Sequence, residues 1–214
     1  MADLSLRVDV YWTSPYAFSS FVALKEKGLA FDVEPLALQN KEHRQPDYLT
    51  RSLTGRVPVL RHKGFWLSES SAIDEYLDEA FPPPGHPRLY PVDVQERARA
   101  RQLQAWVRSD LTPIRSERPT TTLFYEPTRK PLSDAAKPAA ERLLAIAEAL
   151  LAPGRTTLFG SWCIADTDFA LMLQRLLVNG DTATRKVHAF VEAQWARPSV
   201  RSWLEQKRPP YVPY

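Results

Sequence analysis

The chain has 214 residues, of which 44% are hydrophobic and 25% charged, with six Trp and a formal net charge of +3. This is the composition of an ordinary globular protein, and no apolar run approaches the ~18 residues that a bilayer span requires. Its single cysteine, Cys163, excludes an intrachain disulfide, Cys-x-x-Cys redox chemistry and a thiolate zinc cluster, and the four histidines (43, 62, 86 and 188) form no His-x-x-x-His pair, so no metal is expected.

Residues 5–12 alternate apolar and polar and predict a first strand. Ser14-Pro15 then opens a helix carrying Phe18, Phe21, Val22 and Leu24, closed by Lys27-Gly28. Residues 31–37 alternate again, and a right-handed crossover between these strands makes them parallel. A short helix is expected over 43–53. Val57, Val59 and Leu60, followed by Phe65, Trp66 and Leu67, read as two strands around a His62-Lys63-Gly64 turn. Pro58 has no N–H for a ladder and belongs at a strand start; it is a candidate for a cis bond. Such a bond would turn the N–H and C=O of Val57 outward, toward the backbone of a peptide-like ligand. Ser68-Glu69-Ser70-Ser71 opens a further helix, with Ile73, Tyr76 and Leu77 as its apolar stripe. Hydroxyls and free N–H groups at a helix N-terminus bind a carboxylate, and an acidic side chain beside them binds an amine. Carboxylate, amine and peptide backbone together describe the end of a small peptide such as glutathione.

Phe81-Pro82-Pro83-Pro84-Gly85-His86-Pro87 is the clearest linker, its prolines expected to run extended. Beyond it the strand signal stops. Residues 93–118 predict one long helix that Pro113 kinks or ends, 119–132 a loop, and 134–151, 166–179, 184–195 and 197–207 further helices. The Pro-rich tail from Arg208 cannot be helical. The expected fold is therefore a βαβαββα, thioredoxin-like α/β domain (residues 1–81), a Pro-rich linker (82–91) and an all-α helical domain (92–214). The first ten residues show no signal-peptide h-region, so a cytoplasmic protein is expected. Charge is uneven: residues 1–80 hold 9 Lys/Arg against 12 Asp/Glu, a balance of −3, leaving 19 against 13, or +6, for the remainder. An Arg-rich half reads first as a solvated helical surface and, as the sharper alternative, as attraction of anionic substrates; without a basic run interleaved with aromatics it does not imply nucleic acid.

The ordered set Val57-Pro58-Val59-Leu60, hairpin, Glu69-Ser70-Ser71-Ala72-Ile73-Asp74-Glu75-Tyr76-Leu77 resembles the glutathione-binding half of the glutathione transferase family. Ser14-Pro15-Tyr16-Ala17 stands where that family carries its catalytic Ser, Cys or Tyr. Trp162 to Asp168 is similar to the start of the central helix of its second domain, though Cys163 replaces the usual Ser or Thr cap. The resemblance covers nearly the whole chain and is closest to bacterial serine-type members of the YfcF-like group. It implies Ser14 as the catalytic group, its hydroxyl donating to the glutathione thiolate, with Tyr11, Thr13 and Tyr16 as rivals. Tyr11 by parity falls on the strand surface. It implies Val57, Glu69 and Ser70 as glutathione-binding, Gln45 (or Lys41 or Arg44) for the glycine carboxylate, and Pro58 as structural. Tyr16, Trp106, Arg108 and Arg115 are candidates for the second-substrate pocket between the domains. Read without the family, Ser14 is an ordinary helix cap, Trp106 core, and the arginines solvated. Glutathione as co-substrate, a small electrophile or hydroperoxide, no metal, no membrane, no nucleic acid and a homodimer follow as expectations. The alternatives are a glutathione-dependent peroxidase or disulfide reductase, a keto-acid isomerase on the same site, and a non-catalytic binding module on the same fold.

Overall fold

Alternation at the N-terminus builds the first strand, β1 (Leu4–Asp9), in the computed structural model, which describes residues 3–213. Leu4, Leu6 and Val8 form its buried face. Arg7 points to the other, where its guanidinium lies 4.9 Å from the ring centre of Trp66 and 5.5 Å from that of Tyr48. Three further strands join it: β2 (Asp32–Leu36), β3 (Val59–His62) and β4 (Phe65–Ser68), in the order β2-β1-β3-β4. β2 is parallel to β1, as the crossover requires, while β3 and β4 are each antiparallel to their neighbour. The helix α1 (Pro15–Glu26) follows β1, a single turn α2 (Pro46–Leu49) follows β2, and α3 (Ser70–Ala80) follows β4. α1 and α3 are joined through buried Asp74, which accepts the hydroxyls of Ser19 at 3.0 Å and Ser20 at 3.1 Å. Buried Lys27 closes the far end of α1 by donating to Asp78 and to the carbonyl of Phe81.

The chain divides into two units, Met1–Leu89 with Ser202–Tyr214, and Tyr90–Arg201. The second is helical throughout: α4 (Val94–Ser109), α5 (Thr112–Glu117), α6 (Thr121–Phe124), α7 (Lys137–Leu150), α8 (Ile164–Leu177) and α9 (Arg185–Trp195), with α10 (Pro198–Leu204) running back into the first unit. α8 is buried along nearly its whole length, and Phe169, Leu173 and Leu176 pack there with Leu143, Ala147 and Phe190. Trp203 of α10 is fully buried in the first unit, edge-on to Trp12, Phe18 and Phe21 at 4.8–5.7 Å between ring centres. Among the described residues no helix is long and apolar enough to cross a membrane.

Several expectations change on inspection. β1 stops at Asp9 rather than running to 12, because residues 10–13 turn back and Trp12 takes a left-handed φ of 54°. The helix expected over 43–53 is a 3-10 turn (Glu42–Arg44) followed by α2 alone. The helix expected over 93–118 breaks at Asp110–Leu111, where Leu111 has φ 60°; Pro113 cannot donate back into α4 and instead sits in the first turn of α5. The expected loop 119–132 contains α6. The linker does not run extended: residues 83–85 turn, and Pro83–Pro84 is cis. At the start of α8 the cap forms despite the cysteine, since Asp166 accepts the backbone N–H of Cys163 at 2.7 Å and of Leu158 at 2.6 Å.

Candidate active site

The strand register brings three separate stretches to one end of the sheet. Arg7 pairs with Val59, Asp9 with Leu36, and Val59 with Ser68. The turn leading to Ser14, the Val57-Pro58 step before β3 and the Glu69-Ser70 step after β4 therefore all leave from the C-terminal end of β1. These three neighbouring strands span about 10 Å.

Ser14 is the N-cap of α1. Its Oγ accepts the N–H of Ala17 at 3.2 Å, and among the described residues its own hydroxyl proton goes to no protein acceptor. Ser14 thus serves as cap and keeps a donor to offer, so the structural and catalytic readings are compatible. Thr13 differs: its hydroxyl donates to Asp9 Oδ2 at 2.9 Å, and its N–H to the same oxygen at 2.8 Å. Asp9 Oδ1 accepts the N–H of Ser14 at 2.9 Å. Tyr11 is not on the strand surface. It lies beyond the strand end, buried, with its ring edge-on to Tyr211 of the C-terminal tail at 5.1 Å. Burial first, then the neighbouring Tyr11 and Asp9, push the Tyr211 phenol above its ordinary range.

Val57 precedes a cis peptide bond to Pro58, and among the described residues neither its N–H nor its C=O finds a protein partner. Glu69 is exposed and holds φ 74° and ψ 112°, a conformation that non-glycine residues rarely adopt and one that clusters at ligand sites. Its carbonyl accepts the N–H of Ile73 at 2.9 Å, so the residue ends the strand and starts α3 at once. Ser70 is the buried first residue of that helix.

Gln45 caps α2 from an extended conformation and lines a recess of about 280 Å³ together with Arg7, Glu34, Leu36, Glu42 and Tyr48. Burial pushes the Tyr48 phenol up to about 12, so it stays a neutral donor to the carbonyl of Arg56 at 2.6 Å. This recess follows β2, which is hydrogen-bonded to β1 on the side opposite β3.

Of the residues expected for a second substrate, Tyr16 lies half-buried in the first turn of α1 and in the same unit as Ser14. Trp106, Arg108 and Arg115 belong to the helical unit. Trp106 is half-buried, donates to Asp110 and walls a cavity of about 470 Å³ with Leu103, Ile146, Leu150, Leu158 and Phe159. Arg108 is engaged by buried Asp168 at 2.7 Å, and Arg115 donates to the carbonyl of Arg108 at 2.8 Å. No group of three or more His, Cys, Asp or Glu stands together as metal ligands among the described residues.

Two groups at the site are absent from the sequence reading, Asp9 and the tail residue Tyr211. Asp9 left a faint signal, an acid at the end of an alternating strand. Tyr211 left none, because nothing in a Pro-rich tail says where it docks.

Two family models divide the chain between them: residues 13–80 match the glutathione S-transferase N-terminal domain and residues 93–207 the C-terminal domain. The chain belongs to the glutathione S-transferase family. A glutathione transferase homologue from Burkholderia, solved with bound glutathione, is 46% identical with a TM-score of 0.80, the match covering 94% of this chain and 96% of that one. Maleylacetoacetate isomerase of Pseudomonas aeruginosa is 38% identical over 112 residues, and the match spans about half the length of each protein, 51% in both cases. A Tau class glutathione S-transferase from mango shares the fold, with a TM-score of 0.73 at 21% identity over 95% of this chain and 93% of that one.

Proposed function

We propose that the chain is a glutathione transferase in which the Ser14 hydroxyl stabilises the thiolate of bound glutathione for attack on a small electrophile. The observation that carries this reading is the state of Ser14: its Oγ is held by the Ala17 N–H, and its proton is left without a protein acceptor at the head of α1. The Burkholderia relative with bound glutathione supports the choice of thiol. In this reading Glu69 receives the γ-glutamyl amine, Ser70 and the start of α3 its carboxylate, and Val57 the cysteinyl backbone, with Gln45 assigned to the glycine carboxylate.

The magnitudes close. A thiol with a pKa of about 8.5 is mostly protonated at neutral pH, and the thiolate is the nucleophile. Lowering that pKa by about 2 units takes about 2.7 kcal/mol. A charge-assisted hydrogen bond contributes roughly 1.5–3 kcal/mol and a helix N-terminus up to about 1 kcal/mol. The thiol proton leaves to solvent, the sulfur forms a bond to the electrophilic carbon, and the leaving group departs with the electron pair of the bond that breaks. Ser14 forms no covalent bond, which also disfavours disulfide exchange on the enzyme.

The isomerase relative from Pseudomonas favours one second reading, cis–trans isomerisation of an unsaturated keto acid through reversible addition of the same thiolate. A cytoplasmic homodimer of the serine-type bacterial subgroup completes the proposal, and sedimentation of the purified chain tests the dimer. The deciding experiment is an ultraviolet titration of bound glutathione against pH in the wild type and in Ser14→Ala. The proposal expects thiolate below pH 7 in the wild type only. Equal thiol pKa values in the two proteins would remove Ser14 from the mechanism. Assays with an aryl halide and with maleylacetoacetate then separate transfer from isomerisation.

A further inference from the structure

We propose that Asp9 is the positioning residue of this site. Its buried carboxylate fixes the Thr13–Ser14 backbone and takes up the Thr13 hydroxyl, leaving Ser14 as the hydroxyl donor that faces the glutathione sulfur. The inference rests on the reading of Ser14 given above.

Asp9 is fully buried at the end of β1, and only residues 10–13 separate it from Ser14. A carboxylate in such a place is costly unless hydrogen bonds replace its water. Here three donors do so: the N–H of Ser14 on Oδ1, and the N–H and hydroxyl of Thr13 on Oδ2, all within 2.8–2.9 Å. The turn they close is strained. Trp12 holds φ 54°, a conformation that persists for a bulky residue only where its surroundings over-determine it. Asp9 supplies that constraint from one side, also accepting the Trp12 N–H on its backbone carbonyl at 3.0 Å, and the ring of Trp203 packs on Trp12 from the other. The clamp sets where the Ser14 Cβ–Oγ bond points.

Charge alone predicts a different role. A carboxylate this close to a thiolate opposes its formation by Coulomb repulsion. If Asp9 mattered as a charge, removing the charge would make the thiol more acidic. If it matters as a clamp, removing it makes the thiol less acidic. The two roles therefore differ in sign.

The test is the thiol titration of bound glutathione in Asp9→Asn, alone and combined with Ser14→Ala. Asparagine offers one acceptor oxygen and turns an N–H₂ toward a backbone N–H, so at least one bond of the clamp is lost. The expected result is a rise in the bound thiol pKa of about one unit, a tenfold shift in the thiol–thiolate equilibrium constant. Calorimetric affinity for glutathione should stay within about threefold, because Val57, Glu69 and Ser70 are untouched. In the Ser14→Ala background Asp9→Asn should give no rise, since Asp9 acts through Ser14. A fall in thiol pKa in Asp9→Asn alone, or an equal rise in both backgrounds, overturns the inference. If circular dichroism shows that Asp9→Asn does not fold, Thr13→Val, which removes one of the three bonds, is expected to give a smaller rise in the same direction. No rise in that variant overturns the clamp. Failure of the underlying reading shows differently: the wild type and Ser14→Ala then titrate alike, and the Asp9 inference falls with it.

Discussion

Under the proposed function, Ser14 satisfies two demands with one side chain and without conflict. As a cap it must accept, as a thiolate partner it must donate, and a hydroxyl does both. The neighbouring Thr13 has the same chemistry but spends its proton on Asp9. Across the cradle, Glu69 keeps a left-handed backbone although any glycine would relieve it. The residue-scale expectation is that Ser70→Ala weakens glutathione binding by about tenfold or more, the loss of one hydrogen bond to a charged group, without lowering stability. Isothermal calorimetry checks it, and an unchanged Kd would remove Ser70 from the cradle. A second expectation concerns Asp166. Burial pushes its carboxyl up to about 6, although the backbone N–H groups of Cys163 and Leu158 pull the other way. A folded-state pKa above the unfolded value means that the protonated form favours the folded state. Its contribution is complete below about pH 4 and is lost as pH rises through 6, a change on the order of 3 kcal/mol. Urea unfolding of the wild type and Asp166→Asn from pH 4 to 7 should show the wild type losing ground relative to the variant; a flat difference would contradict this.

At the scale of elements, the helical unit is tied together by charges that the periodicity of its helices does not reveal. Arg118 follows α5 and is buried, donating from Nε and one terminal nitrogen to both oxygens of Asp181 and also to the carbonyl of Lys130. It thereby joins α5 to the loop before α7 and to the loop after α8. Arg118→Met should cost about 3 kcal/mol, because it strands a partly buried Asp181 and frees a backbone carbonyl. Chemical denaturation would register this as a lower midpoint, and a loss under 1 kcal/mol would show that the pair is solvated. Gly180 closes α8 with φ 85° and donates to the carbonyl of Leu177 at 3.1 Å. An added Cβ would meet nothing within 4 Å, so Gly180→Ala should cost only the left-handed backbone, about 1 kcal/mol. The sequence predicted most helices of this unit from their apolar spacing but missed the break at Leu111. Pro113 announced a disturbance there. The left-handed residue that executes it is an ordinary leucine, held by burial rather than by its own preference.

At the scale of the whole molecule, the two ends of the chain meet within the first unit. Trp203 is buried among Trp12, Phe18 and Phe21, so a domain that the sequence counts as the first 81 residues takes part of its core from the last helix. Trp203→Ala should cost about 3–5 kcal/mol and should loosen the Trp12 turn that leads to Ser14. Thermal unfolding together with near-ultraviolet circular dichroism would show an earlier transition. An unchanged melting temperature would mean that the tail docks without consequence. The asymmetry of charge, −3 over residues 1–80 and +6 over the rest, is a property of the same scale.

The sequence by itself determined the order of the elements in the first domain, the hairpin with its proline and the helix starts at Ser14 and Ser70, because these depend on neighbours within a few positions: alternation, caps and turn residues; the ordered set of these motifs pointed to the family. It could propose Val57, Glu69 and Ser70 as one cradle from the chemistry of an outward-turned Val-Pro step beside an acidic helix start, and the family resemblance implied the same residues. The sheet register gives the physical reason they leave from one place, since β1 and β4 end, and β3 begins, at the same end of the sheet. Only the tertiary structure decided that Asp9 reaches forward to hold Ser14, that Asp168 engages Arg108, and that Trp203 and Tyr211 return to the first strand's turn. Apart from the Asp9 clamp, each of these joins residues 60 or more positions apart. For Asp9, Asp168 and Trp203 burial selects the partner, and the exposed Tyr211 docks on buried Tyr11; none of these pairings is written in local spacing.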